Sequence, residues 1–141
     1  MSWLTAILRT LGLCRQPTIE RPSPKIRITP EQADSIIKAL KLIPGYESCF
    51  IAAIAPTNSL DPTIDDGMYV VLDPTIPHPD LRSGDIIWFE RPDYKAIHRI
   101  TKLGIDNEGW WCITKGDNNS VADPDKVRVQ HIKGVWRATL N

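Results

Sequence analysis

The sequence has no apolar run of the roughly 18 to 20 residues that a helix needs to cross a bilayer. It has no excess of either charge, because 17 Lys and Arg residues balance 17 Asp and Glu residues. Since no basic run or stripe is present either, nothing in the sequence predicts a nucleic acid partner. The cysteines are odd in number and far apart, which excludes a disulfide framework and metal-ligand spacing. We predict that all three are small apolar side chains rather than nucleophiles, namely Cys14, Cys49 and Cys112.

At 141 residues the chain can form one domain with enough core to fold alone. Its 12 prolines predict many turns and sheet edges rather than long helices. From Tyr46 onward, Gly and Pro-Asp punctuation separates strand-like runs at intervals typical of an open β-barrel or sandwich. We therefore predict a mainly β domain over residues 46–141. Its predicted strands are Cys49–Ala55, Met68–Leu72, Asp85–Glu90, Ala96–Lys102, Trp110–Thr114, Val127–Gln130 and Lys133–Thr139.

Residues 1–15 have the pattern of a short amphipathic helix. Apolar side chains recur there at helical spacing. Such a helix either packs on the domain or lies on a membrane surface as a peripheral contact, and the pattern leaves both open. The apolar positions are Trp3, Leu4, Ile7, Leu8 and Leu11.

A Pro-rich linker is predicted over residues 16–30, followed by a short helix over residues 31–45. Thr29 can cap that helix, with Pro30 at its first position and Gln32 completing a capping box. Pro44-Gly45 would end it. Its apolar side would consist of Ile36, Ile37, Leu40 and Leu42.

Three polar stretches interrupt the β pattern and together predict a catalytic site. Ser59 lies just past a predicted strand and is followed by Pro62, while His98 lies inside another strand. Asp117 and Asp123 follow later in the chain. Serine, histidine and an acid in this order can supply a nucleophile, its base and the group that orients the base. Each stretch taken alone is equally compatible with an ordinary turn or a structural histidine.

Taken together, these stretches resemble the type I signal peptidase family, part of the wider signal-peptidase/LexA-like group of serine peptidases. The resemblance covers roughly residues 50–134. The family's members usually carry a membrane anchor just before the nucleophile, and no comparable apolar run is found here. Four stretches are similar to the family's nucleophile, strand-opening, base and acidic boxes: Asn58-Ser59-Leu60-Asp61-Pro62-Thr63, with Leu60 where Met is usual, Gly84-Asp85-Ile86-Ile87, His98-Arg99, and Gly116-Asp117-Asn118-Asn119 with Asp123.

The resemblance implies a signal-peptidase/LexA-like open β-barrel of coiled sheets, preceded by a short helical extension. It also implies a serine endopeptidase that forms an acyl-enzyme on Ser59 and cuts a preprotein after small residues, without a metal or cofactor. His98 would be the general base, as in the archaeal and endoplasmic-reticulum type, where other members use lysine. The oxyanion would be bound by the backbone N–H of Ser59 and the hydroxyl of Thr57.

Two acids, Asp117 and Asp123, are candidates to orient His98, and we favour Asp123. Asp117 lies next to Gly116 in a turn-like stretch and is predicted to shape the loop by bonding its own backbone. Arg99 is expected to anchor the same loop through an ion pair. By strand alternation, Lys102 would share a face with His98 and Lys95 would not; neither is favoured as the base. Structural or solvated roles are predicted for Asp85, His78 and His131.

Two other functions remain open from the sequence. One is a self-cleaving regulatory peptidase of the LexA or UmuD kind, which the missing DNA-reading module and the histidine in the lysine position disfavour. The other is a catalytically idle structural or assembly domain of the same fold, including one of phage or other mobile-element origin. The retained Ser59, His98 and acids disfavour this second alternative.

Overall fold

A computed structural model describes residues 27–140. The predicted helix over residues 1–15 and most of the predicted linker lie outside the described residues, as does Cys14. The chain from Arg27 to Leu140 is mainly β, which confirms the predicted class, and all seven predicted strands are present with shifted ends. The elements are α1 (Pro30–Leu40), β1 (Phe50–Ala53), β2 (Tyr69–Asp73), β3 (Ile86–Arg91), β4 (Tyr94–Asp106), β5 (Gly109–Lys115), β6 (Val127–Arg128) and β7 (Ile132–Leu140), with short 3₁₀ turns at His78–Asp80 and Val129–His131.

The strands form one antiparallel open sheet in the order β1-β2-β7-β3-β4-β5-β6. Apolar side chains are buried on both faces of the sheet. Neighbouring residues of a strand point to opposite faces, so the alternate residues of one strand belong to different clusters. On β3, Ile87 and Phe89 belong to one buried cluster, while Ile86 and Trp88 belong to another. Register shifts in the β2–β7, β3–β7 and β4–β5 pairings bend the strands at those points. β1 and β6 are its two edges.

The helix α1 is capped as predicted but is shorter than predicted. Thr29 accepts a hydrogen bond from the backbone of Gln32, whose side chain accepts one from the backbone of Thr29. The helix ends at Leu40 rather than at 45, and Leu42 is 85% exposed instead of lying on the apolar side. Ala33 and Ile37, one helical turn apart, form the buried face, and Leu42 falls outside that repeat.

Of the three residues predicted to be structural or solvated, His78 differs from the prediction. Asp85 accepts from the backbone of Arg82, and His131 accepts from the backbone of Arg128, so both have local structural contacts. His78 is not a solvated residue: it is half-buried, and its ring lies 5.8 Å from that of Trp110. The 3₁₀ turn that carries His78 packs the loop onto β5.

Cys49 and Cys112 are buried and unpaired, as predicted. Burial raises the pKa of the Cys112 thiol to about 12, which keeps it protonated and unreactive at neutral pH. Within residues 27–140, no helix is long and apolar enough to cross a membrane. The same residues contain no group of three His, Cys, Asp or Glu side chains arranged to hold a metal ion.

Candidate active site

Ser59 lies in the connection from β1 to β2, on a turn held by the buried side chains that follow it. Leu60 and Ile64 are 2% and 1% exposed and pack into one of the two main clusters. The carbonyl of Leu60 accepts from the backbone N–H of Thr63 and of Ile64. Leu60 therefore supplies the apolar anchor at the position where the resembled family usually has methionine.

The residue before Ser59 is held in a left-handed conformation. Asn58 has a φ of 54°, a region that asparagine tolerates better than most residues. Its backbone N–H donates to Asp66 Oδ1 at 3.0 Å, and its carbonyl accepts from Asn118 Nδ2 at 3.0 Å. These two contacts fix the direction in which the chain presents Ser59.

His98 on β4 is hydrogen bonded to Asp123, at 2.6 Å between Nδ1 and Oδ2. Both side chains are buried, at 4% and 6% exposed. The same carboxylate oxygen accepts from Thr114 Oγ1 at 2.6 Å, and Oδ1 accepts from the Tyr94 hydroxyl at 3.3 Å. The backbone N–H of Asp123 donates to the carbonyl of Thr114 at 2.8 Å, so the loop after β5 returns onto β5 at that point.

The environment of Asp123 determines which nitrogen of His98 carries the proton. Burial alone would raise the pKa of Asp123, but the hydrogen bonds from His98, Thr114 and Tyr94 outweigh it and hold that pKa below its ordinary value. Asp123 is therefore a carboxylate at neutral pH and can only accept hydrogen bonds. The neutral imidazole must then be protonated on Nδ1, which leaves Nε2 with a free lone pair, as a general base requires.

Asp117 does not contact His98. It pairs instead with Arg99, the residue after His98 on β4. Arg99 donates to both carboxylate oxygens of Asp117 at 2.8 Å, so the predicted ion pair is present. Thr63 Oγ1 donates to the same carboxylate at 2.5 Å. The prediction that Asp117 bonds the backbone of its own turn is wrong, because Arg99 and Thr63 satisfy the side chain from outside the turn. The hydrogen bonds from Arg99 lower the pKa of Asp117.

The loop after β5 also contacts the turn that carries Ser59 directly. The backbone N–H of Asn118 donates to the carbonyl of Ser59 at 2.9 Å. Gly116 is buried there, and a Cβ at this position would lie 2.6 Å from the Ser59 carbonyl and 2.7 Å from Asn119 Nδ2. Only glycine allows the two segments to come this close, since the Ser59 contact is with backbone that has no side-chain freedom to move.

Ser59 and His98 line one cleft, whose volume is about 550 Å³. Thr57 Oγ1 lies 3.1 Å from Ser59 Oγ and 3.4 Å from the Ser59 backbone nitrogen, so both predicted oxyanion donors lie close to the Ser59 hydroxyl. Within residues 27–140 no direct hydrogen bond joins Ser59 to His98. In unliganded enzymes such contacts are often long and tighten when substrate binds.

Of the two lysines near His98, Lys102 does not lie on the predicted face of β4. The pairing of β4 with β5 shifts between Ile100 and Lys102, which leaves Thr101 as an extra residue on β4. The bulge moves Lys102 to the face opposite His98, where its ammonium lies 5.9 Å from the ring of Trp111. Lys95 lines the cleft instead.

Sequence reasoning missed Thr114 and Tyr94 as members of this site. Strand alternation could have indicated both. Thr114 is a hydroxyl residue on the inward face of β5, two residues after the buried Cys112. Tyr94 lies four residues before His98 on the same strand and therefore on the same face.

A scan against protein-family models finds no match to this chain, and a search of curated proteins finds no match either.

Proposed function

We propose that this protein is a serine endopeptidase similar to type I signal peptidases, in which Ser59 is the nucleophile and His98 the general base. The observation that carries the proposal is the buried hydrogen bond to Asp123 from His98, which lines the same cleft as Ser59. His98 Nε2 takes the proton of Ser59 as the hydroxyl attacks the peptide carbonyl, and then gives it to the leaving amine. Water hydrolyses the resulting acyl-enzyme.

The oxyanion has two donors within reach of the nucleophile. These are the backbone N–H of Ser59 and the hydroxyl of Thr57, and each lies close enough to be redirected toward a carbonyl bound at Ser59 Oγ. The Thr57 hydroxyl now contacts Ser59 Oγ. Substrate binding would replace that contact with one to the developing negative charge.

The cleft suits an extended peptide because unpaired strand edges border it. β1 is an edge strand, and its end at Ala52 and Ala53 lines the cleft. The first residues of β4, from Tyr94 to His98, pair only with β3, because pairing with β5 begins at Arg99. Free backbone groups on both sides can hydrogen bond to a peptide added as a further strand.

The lining also favours apolar side chains in the substrate. Apart from Lys95, Asn119 and the polar residues of the site, it consists of alanines and larger apolar side chains, among them Ala52, Ala55, Leu60, Trp88 and Ile97. The resemblance to signal peptidases implies cleavage after small residues such as alanine.

The decisive experiment is a cleavage assay with preprotein-derived peptides that span a signal-peptide junction. Each peptide carries either Ala or Phe before the scissile bond. We expect the wild type to cut the Ala peptide and Ser59→Ala to lose at least roughly 10³-fold in rate. Ser83→Ala is the matched control, since Ser83 is an exposed serine whose hydroxyl donates to the carbonyl of Thr101.

Equal cleavage by wild type and Ser59→Ala would refute the nucleophile assignment. Incubation of the chain alone separates the self-cleaving alternative, because only a self-processing protein shortens in wild type and stays intact in Ser59→Ala. No cleavage of peptide or chain by folded wild-type protein would favour the catalytically idle domain.

A further inference from the structure

We propose that Thr114 and Tyr94 are positioning residues that fix the Asp123 carboxylate, and through it the orientation and tautomer of His98. The proposal rests on the peptidase function proposed above and adds two residues that act through the acid without contacting the reacting atoms. Its starting point is the sharing of one oxygen: Asp123 Oδ2 accepts from His98 Nδ1 and from Thr114 Oγ1, each at 2.6 Å.

The hydroxyl of Thr114 has no other hydrogen-bond partner among the described residues. Thr114 is 0% exposed, and the neighbouring inward positions are occupied by apolar side chains such as Cys112 and Val127. A buried hydroxyl is costly unless it is hydrogen bonded, so an apolar residue would suit this position better if packing were its only purpose. The one contact that accounts for the hydroxyl is the carboxylate of Asp123.

Thr114 holds Asp123 at two points. The side-chain contact is joined by the backbone hydrogen bond from the Asp123 N–H to the Thr114 carbonyl. Thr114 also pairs with Ile100 across the β4–β5 ladder, two residues from His98 on β4. The distance between acid and base is therefore set by a pair of adjacent strands rather than by the loop alone.

Tyr94 secures the second carboxylate oxygen. Its hydroxyl donates to Asp123 Oδ1 at 3.3 Å, and its ring lies 6.5 Å from that of His98. Burial raises the pKa of Tyr94 to about 12, with the nearby Asp123 charge adding to the effect, so the hydroxyl stays a donor throughout the neutral range. The guanidinium of Arg91 lies 5.4 Å from the Tyr94 ring, and Arg91 Nη1 donates to the Pro124 carbonyl. These contacts hold the tyrosine beside the acid loop.

The carboxylate plane is thus determined by donors at both oxygens, with His98 and Thr114 at one and Tyr94 at the other. Without the Thr114 hydroxyl, Oδ2 keeps only the imidazole donor, and the carboxylate can rotate about its side-chain torsion. The longer bond from Tyr94 is weaker, so its loss should have the smaller effect.

The test compares Thr114→Val, which removes the hydroxyl from a similar shape, with Thr114→Ser, which retains it. The first readout is the Nδ1 proton resonance of His98 in histidine-labelled protein, which does not depend on any cleavage activity. The protein has three histidines, and His131 Nδ1 accepts a backbone N–H, so His131 has no Nδ1 proton in this arrangement. A His78→Gln background removes the remaining ambiguity.

For Thr114→Val we expect the strongly hydrogen-bonded His98 resonance to move or vanish. We also expect kcat on the Ala peptide to fall roughly tenfold or more with KM nearly unchanged, because a hydrogen bond to a charged group is lost. Thr114→Ser should restore both readouts, and Tyr94→Phe should show a smaller change in the same direction.

A folded Thr114→Val protein with the wild-type resonance and kcat would overturn the proposal, as would a Thr114→Ser protein impaired as severely as Thr114→Val. If Thr114→Val does not fold, Tyr94→Phe decides, and an unchanged resonance there counts against positioning. If no form cleaves peptide but Thr114→Val still displaces the resonance, the positioning role stands and the peptidase proposal fails.

Discussion

Replacing each of the two candidate acids by asparagine should have opposite consequences, because each acid contacts a different basic residue on β4. Asp123 contacts His98, while Asp117 contacts Arg99. We expect Asp123→Asn to be inactive with nearly wild-type stability. Asp117→Asn should be less stable and retain most of its activity.

The expected loss of rate in Asp123→Asn follows from the burial of both His98 and Asp123. In the proposed mechanism, His98 becomes a cation when it takes the proton of Ser59, in a site where it and Asp123 are 4% and 6% exposed. Breaking a buried ion pair by removing one charge costs about 3–5 kcal/mol, which corresponds to a loss of roughly 10²–10⁴ in rate. An amide nitrogen facing His98 would add the wrong tautomer to this loss. Stability should change much less than activity, because the amide oxygen of asparagine occupies nearly the same place and can still accept from Thr114 Oγ1.

For Asp117→Asn the expected change is in the free energy of unfolding. Its carboxylate accepts two hydrogen bonds from Arg99 and one from Thr63, and the side chain of Arg99 is 32% exposed. Because solvent screens an ion pair that is partly exposed, we expect a loss of about 1–2 kcal/mol. In a domain of this size the corresponding drop in melting temperature is about 5 °C.

The assay measures kcat/KM on the Ala peptide and the melting temperature of both variants. Asp80→Asn is the control, since Asp80 is an exposed acid outside the cleft. Inactive Asp117→Asn at an unchanged melting temperature, together with nearly active Asp123→Asn, would reverse the assignment and refute the reasoning from burial.

Two further predictions concern the loop after β5. Gly116→Ala should lower activity at least about tenfold while the domain still folds, because its methyl group would push the Ser59 carbonyl away; wild-type activity would show that the two segments can separate without harm. The low pKa of Asp117 means that its stabilising effect is present above the ordinary value of 3.8 and is lost as pH falls through the lowered value. The gap in melting temperature between wild type and Asp117→Asn should therefore shrink below about pH 4, and a gap that stays constant from pH 6 to pH 2 would contradict the cause given for the shift.

Local patterns were sufficient to predict the strands, since Gly and Pro punctuation fixes where a chain must turn. The end of α1 was not predictable from Pro44-Gly45. The helix stops at Leu40, four residues before Pro44, because the residues after it no longer place apolar side chains on the sheet. The bulge at Thr101 left no trace in the sequence, and that single extra residue reversed the predicted face of Lys102.

The site was predictable to the extent that it depends on residue type and order. Ser59, His98 and two acids were identified as candidates, and Asp123 was favoured over Asp117 as the partner of His98, but the partners of Asp117 were only partly foreseen. Asp117 is satisfied by Arg99 and Thr63, which are 18 and 54 residues away in sequence. The ion pair with Arg99 was expected from the sequence, but no local rule anticipates the contact with Thr63 or the sharing of one Asp123 oxygen by Thr114 and His98.

Strand alternation explains why two acids six residues apart have such different environments. His98 and Arg99 are neighbours on β4, so their side chains leave opposite faces of the sheet. The loop after β5 passes the unpaired edge of β4 and places Asp117 on one face and Asp123 on the other.

On the Arg99 face, the loop contacts the turn that carries Ser59 through Thr63 and through the Ser59 carbonyl. On the other face, Asp123 of the same loop holds His98. The loop after β5 therefore contacts both faces of β4 and sets the position of Ser59 relative to His98. Disturbing the Asp123 end of that loop should therefore release His98. Loss of the Asp117 carboxylate removes only one of the loop's contacts with the turn that carries Ser59, because the Asn118 N–H still donates to the Ser59 carbonyl.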